Sequence, residues 1–178
     1  MAFFVRYFVE IELPLAAVET ALDEVPAEWL SASANKAHDR ALGMMLEADP
    51  LAGEDLAGAV VVVGMERAAR HGSTTIRTMA WALVGPHLAM PLLEADLEVG
   101  SLGHRRTQLA VAGRYCVPGS GINQHIDRGV GQRVGEMTIK EFVDRLADLV
   151  QTLTLGRSVS VAATRAAETM LPARHLSA

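Results

Sequence analysis

The sequence predicts an α+β fold in which antiparallel strands gather around a long C-terminal helix, with two short helices after the first strand. Three observations predict it. Apolar and polar residues alternate over 3–13, with Phe4 and Phe8 as extra apolar groups on the outer face, and again over 93–99, the period of a half-buried strand. From Ala59 to Tyr115 the strand-like segments are separated only by short turns, as in an antiparallel meander. From Ile122 onward the apolar residues fall three and four apart, the spacing of a helix that buries one face.

The elements follow in order. In the first strand Val5, Tyr7, Val9, Ile11 and Leu13 share a face, while Arg6, Glu10 and Glu12 share the other with Phe4 and Phe8. Pro14 ends it and suits a helix start, and Leu15, Val18, Ala21, Leu22 and Val25 then keep helical spacing. Pro26 stops that helix, and "AEWLSAS" begins a second short one. "LGMML" (42–46) has the look of a short strand, and "EADPLAGED" that of a loop. A strand over about Ala59–Glu66, a turn at "ARHGS" and a strand at "STTIRTMAWALV" come next, with "GPHLAMP" read as a loop or short irregular segment. "LLEADLEVG" puts Leu93, Ala95, Leu97 and Val99 on one face and Glu94, Asp96 and Glu98 on the other. "SLGH" turns into "RRTQLAVAGRY", where Thr107, Leu109 and Val111 share a face. The last helix is predicted over Ile122–Leu153, with Ile126, Val130, Val134, Met137, Phe142, Leu146, Leu149 and Val150 on its apolar stripe. Gly156 is its expected stop. One domain over 1–155 and a tail over 156–178, helical or flexible, complete the reading.

Composition narrows the class. Half of the 178 residues are apolar and only 4% aromatic, so Val, Leu, Ala and Met must build the interior. A net charge of −5 with no dense basic cluster argues against nucleic acid and anionic lipid surfaces as partners. The scarcity of Lys beside Arg, with abundant Ala and Gly, suggests a high-GC bacterial origin. The apolar N-terminus is interrupted by Arg6, Glu10 and Glu12 and lacks signal-peptide architecture. The apolar run over 80–93 is broken by Pro86, His87 and Pro91 and is too short to span a bilayer. A cytoplasmic protein without stable membrane insertion is expected. Cys116 is the only cysteine, which excludes an intrachain disulfide and a multi-cysteine metal site and reads as a small buried thiol.

On "LPLAAVETAL", "MAWALVGPHLAMPLLEADLEV" and "TQLAVAGRYCVPGSG" leading into "DRGVGQRVGEMTIKEFVDRLADLV", the chain resembles the SRPBCC superfamily, the START and Bet v 1-like helix-grip proteins. The resemblance covers about residues 3–150. It is nearest to small bacterial members that carry a strand like the one holding Thr107, Leu109, Gly113 and Tyr115. Where such members have Pro-Pro, this chain has Cys116, Val117 and Pro118. The resemblance implies a curved antiparallel sheet of about seven strands wrapped around the C-terminal helix, and a cavity for lipids, polyketides or other apolar molecules.

The candidate chemistry is sparse. The glycines at 119, 121, 129, 131 and 135 carry no Gly-Lys-Ser/Thr and lie in no strand–turn–helix unit, so they do not form a phosphate loop. Gly119 and Gly121 read as a turn. Gly129, Gly131 and Gly135 read as the means by which the helix approaches the sheet, with room for a ligand as the alternative. No histidine has metal-ligand spacing, and no metal or cofactor is expected. His71 and His104 fall in turns, while His87 and His125 are placed to approach a cavity mouth. Glu94, Asp96 and Glu98 read as a solvated face, with Arg105 and Arg106 set to pair across to them. Trp29 and Trp81 read as core.

The leading expectation is a non-catalytic binding or carrier protein for a hydrophobic small molecule or lipid, lined by Val9, Ile11, Met79, Trp81, Leu97, Leu109, Val111, Ile126, Val130 and Val134. The alternatives are a polyketide cyclase/dehydratase-like enzyme and a co-chaperone-type interaction module using Phe4 and Phe8. A homodimer is compatible with each.

Overall fold

The computed structural model describes residues 2–48, 59–86, 88–116 and 128–170. The order is β1 (Ala2–Ile11), α1 (Leu15–Asp23), α2 (Ala27–Ala48), β2 (Val60–Met65), β3 (Ala69–His71), β4 (Thr74–Gly85), β5 (Leu88–Gly103), β6 (Arg106–Cys116) and α3 (Arg128–Met170). All strands pair antiparallel in one open sheet ordered β1-β6-β5-β4-β2, and β3 takes the remaining stretch of the outer edge of β4. The helices pack on its inner face, α3 chiefly over β1 and α2 between β2 and α3. The α+β class is as predicted.

Alternation becomes burial strand by strand. On β1, Phe3, Val5 and Ile11 are buried and Tyr7 and Val9 half-buried, whereas Phe4 and Phe8 stand exposed. On β4, Met79, Trp81 and Leu83 point inward, which settles a strand whose two faces are similarly apolar in sequence. On β5, Leu93, Ala95, Leu97 and Val99 are buried.

Three readings of single segments are corrected. The described residues form six strands, among them the three-residue β3 between β2 and β4, and "LGMML" lies inside α2 rather than forming a strand. That makes α2 a helix of 22 residues, not a short one. Most of "GPHLAMP" is strand rather than an irregular connection: β5 begins at Leu88 and carries Pro91. There β5 extends past the last residue pair with β6, Leu93↔Tyr115, and among the described residues pairs only with β4, at a register shift, so a proline without an N–H is tolerated. Finally, α3 does not stop at Gly156 but runs 43 residues to Met170.

The stripe of α3 also sits a little off the predicted one. Val134, Thr138, Ile139, Phe142, Val143, Leu146, Ala147 and Val150 are buried, with Val130, Met137 and Leu149 half-buried at its margins. A helix laid on a broad sheet buries adjacent rows three and four apart, so Thr138, Ile139, Val143 and Ala147 join the interior.

Candidate functional site: the interior between sheet and helix

The register aligns the inward side chains in rows across the sheet. Phe3, Tyr115, Leu93, Trp81 and Val63 make one bulky row. The next row, Val5, Gly113, Ala95 and Met79, is slight in its middle, and the row after it holds Tyr7, Val111, Leu97 and Arg77. Above them α3 contributes Phe142, whose ring meets Trp81 edge-on at 4.8 Å between centroids.

Two glycines set the depth of this interior. A Cβ on Gly113 would stand 2.2 Å from the Glu94 carbonyl oxygen and 2.4 Å from Ala95 Cα, so β5 and β6 close up over the inner face where only glycine fits. A Cβ on Gly135 would meet the Tyr115 ring at 3.0 Å and Val5 at 3.1 Å. At Gly135 the helix therefore presses against the sheet, the first of the two readings of the helix glycines.

Three polar side chains meet inside this apolar setting. His38, 4% exposed, brings Nδ1 to 3.2 Å from the hydroxyl of the fully buried Tyr115. Thr138 donates to the Val134 carbonyl at 2.8 Å and lies 3.5 Å from the same Tyr115 oxygen. Burial lowers the His38 pKa below its ordinary 6.5, outweighing the nearby Asp39 carboxylate, and burial pushes the Tyr115 phenol up. With His38 neutral, two arrangements satisfy the trio. Either the phenol donates to Nδ1, or Nδ1–H donates to the phenol, which donates to Thr138. Such a set can hold a proton at either end. Sequence reasoning passes over His38 in favour of His87 and His125, which lie outside the described residues. A signal is nonetheless present: Leu30, Ser33, Ala34, Ala37, His38 and Ala41 are one helical face, and all are buried.

The other polar features surround α1. Arg77, 7% exposed, gives Nη2 to Asp23, and the Thr75 hydroxyl donates to Glu19, so one face of α1 is clasped to alternate residues of β4. Two buried donors are left over: Arg77 Nε and Trp81 Nε1 have no hydrogen-bond partner among the described residues.

Of the residues predicted to line a cavity, Ile11, Met79, Trp81, Leu97, Leu109, Val111 and Val134 are brought together in one buried core. Val9 and Val130 pack against it from its margin, and Ile126 lies outside the described residues. Trp29 is only half-buried at the same margin. His71 lies in β3 rather than in a turn and is exposed, as is His104. The predicted pairing of Arg105 and Arg106 with the β5 carboxylates is replaced by other partners. Arg106 reaches Glu10 at 3.6 Å, Glu98 pairs with Arg6 at 4.0 Å, and Asp96 accepts from Thr78. Neighbouring strands offer those partners on the same outer face. Cys116 is half-buried at the end of β6. On the outer face a shallow depression of about 500 Å³ lies over Ala112 and Gly113, rimmed by Phe4, Arg114, Glu94 and Asp96. Among the described residues no cluster of His, Cys, Asp or Glu is arranged to hold a metal ion, and no helix is long and apolar enough to cross a membrane.

No protein-family model and no curated protein matches the chain. Among solved structures it is similar to TTHA0849 from Thermus thermophilus, at 12% identity and a TM-score of 0.39 over 85% of this chain and 99% of that one. It is also similar to the ZhuI aromatase/cyclase from Streptomyces sp. R1128, at 14% identity and 0.29 over 88% and 93%. A third is Ara h 8.0201, at 9% identity and 0.36 over 88% and 99%.

Proposed function

We propose that the chain binds an apolar small molecule bearing a hydrogen-bond acceptor, held between the inner face of the sheet and α3, and acts as its carrier. The observation that carries this reading is the indole N–H of Trp81, buried on the inner face without an acceptor, with Arg77 Nε in the same condition on the same strand. A buried donor left unpaired costs about 1–3 kcal/mol, and folded proteins rarely leave one so. A ligand oxygen beside Trp81 removes that cost, while the surrounding apolar side chains supply the remaining affinity. In this reading Met79, Trp81, Leu97, Val111 and Val134 form the wall, and Val9, Ile11, Leu109 and Val130 extend it.

The test is native mass spectrometry of the purified protein, with extraction and identification of any bound molecule. A Trp29→Phe variant leaves Trp81 as the only indole, so its emission reports on the interior. Titration with 8-anilinonaphthalene-1-sulfonate, an apolar ring system with acceptor oxygens, should quench it. An empty protein whose Trp81 emission ignores the probe sinks the reading. Val130→Trp should reduce uptake if this end of α3 borders the ligand.

The contact of His38 with Tyr115 favours a second reading, proton transfer to or from the bound molecule, as in a cyclase or dehydratase. The two readings separate on the fate of the ligand. A carrier returns it unchanged, whereas an enzyme returns it altered and His38→Gln abolishes the change while sparing uptake.

A further inference from the structure

The two outer edges of the sheet are treated differently. On β2, the N–H of Val61 donates to Asn35 Oδ1 and its carbonyl accepts from Asn35 Nδ2, both at 2.7 Å, while the Val63 N–H donates to Ser31 Oγ at 3.1 Å. Helix α2 thus covers the Val61–Val63 stretch of that edge with side chains. The other edge, β1, pairs with β6 along all ten of its residues, and among the described residues no strand pairs with its outer side. An edge strand of that length is a template for another strand.

We propose that two copies of this chain join through β1, antiparallel about a twofold axis at Phe8, to form one continuous sheet. The side chains select both the occupant and the register. A twofold axis at Arg6 would oppose two arginines, and one at Tyr7 would set Arg6 against Phe8 and Phe4 against Glu10. The axis at Phe8 sets Arg6 of each copy against Glu10 of the other, twice, with the two Phe8 rings meeting between them. On the inner side it sets Tyr7 against Val9 and Val5 against Ile11, matching apolar to apolar. The groups required are available: Phe8 is 53% exposed, and the Arg6 and Glu10 side chains are 60% and 49% exposed. Their present partners, Glu98 for Arg6 and Arg106 for Glu10, are held only at 4.0 and 3.6 Å. Cross-strand opposite charges and aromatic pairs are the contacts that stabilise and register antiparallel strands.

Sedimentation equilibrium on the full chain tests this. The expected result is a concentration-dependent dimer that weakens as salt is raised. Arg6→Glu and Glu10→Arg each bring like charges together and should return the protein to monomer, and the Arg6→Glu/Glu10→Arg double variant should restore the dimer. Both positions are exposed, and circular dichroism checks that each variant folds. Independently, Phe8→Cys in a Cys116→Ser background should cross-link to a covalent dimer under mild oxidation. A chain that is monomeric at every concentration overturns the proposal. So does a dimer indifferent to both single reversals, which would place the interface elsewhere. A dimer lost in the single variants and not regained in the double variant overturns the register. Binding of an unrelated extended peptide to a monomeric chain would show that a foreign strand occupies this edge instead.

Discussion

Gly135 of α3 and the ring of Tyr115 on β6 touch so closely that a single added methyl group on the glycine would lie 3.0 Å from the ring. Neither neighbour can move aside easily, since Tyr115 is fully buried and tied to His38, and Val5 on the other flank is 1% exposed. Gly135→Ala gains about 1 kcal/mol of helix propensity but meets an overpacking cost of about 1–3 kcal/mol. The net expectation is a loss of about 1 kcal/mol by urea denaturation. Gly135→Leu should prevent α3 from docking, read as lost protection of the β1 amides.

Gly113 is less forgiving. Its missing Cβ would collide with backbone, at 2.2 Å from the Glu94 carbonyl, and backbone held in a sheet ladder cannot rotate away as a side chain can. Gly113→Ala should therefore cost at least about 3 kcal/mol, the upper end of ordinary overpacking. A midpoint shift smaller than that of Gly135→Ala would contradict the close approach of β5 and β6.

Asn35 holds the edge of β2 by both halves of its amide. Asn35→Ala leaves the Val61 N–H and C=O without partners and should cost about 1–3 kcal/mol. Hydrogen exchange should accelerate at Val61 while the amides of β5, paired on both sides, keep their protection. Asn35→Asp should fall between the two, since it keeps the acceptor for Val61 N–H and loses the donor to its carbonyl.

His38 makes stability depend on pH. Its folded pKa lies below the ordinary 6.5, so between those two values the unfolded chain carries a proton that the folded chain refuses. The resulting stability is fully present above pH 6.5 and declines as pH falls through the window below it, by about 1.4 kcal/mol for each pH unit between the two values. Chemical denaturation from about pH 7.5 to 5 should show this slope in the native chain. His38→Gln, which keeps a hydrogen-bonding side chain without titrating, should flatten it.

How much of the molecule is legible in its sequence follows from where each signal resides. Alternation is a local property, so β1 and the Leu93–Val99 stretch can be read residue by residue, including the outward Phe4 and Phe8. The extent of α2 cannot, because Leu42–Leu46 is a short apolar run that periodicity alone does not divide between strand and helix. Pro91 reads as a strand breaker because its tolerance depends on where β6 ends, a fact about another element. The apolar candidates for the interior are legible, since inward faces follow from parity. The polar trio is not: His38, Tyr115 and Thr138 lie on three elements, and only folding makes them neighbours. The unpartnered Trp81 N–H is likewise invisible in a sequence, because a missing acceptor can be recognised only when everything around the donor is in place.

The amide of Asn35 has a consequence beyond stability. A sheet open on both sides can recruit a strand at each and grow without end, the geometry of a filament. With Val61 and Val63 of β2 occupied by side chains of α2, that stretch of the sheet cannot take up a further strand. One asparagine on a helix thus removes a site of growth that the backbone of β2 would otherwise offer.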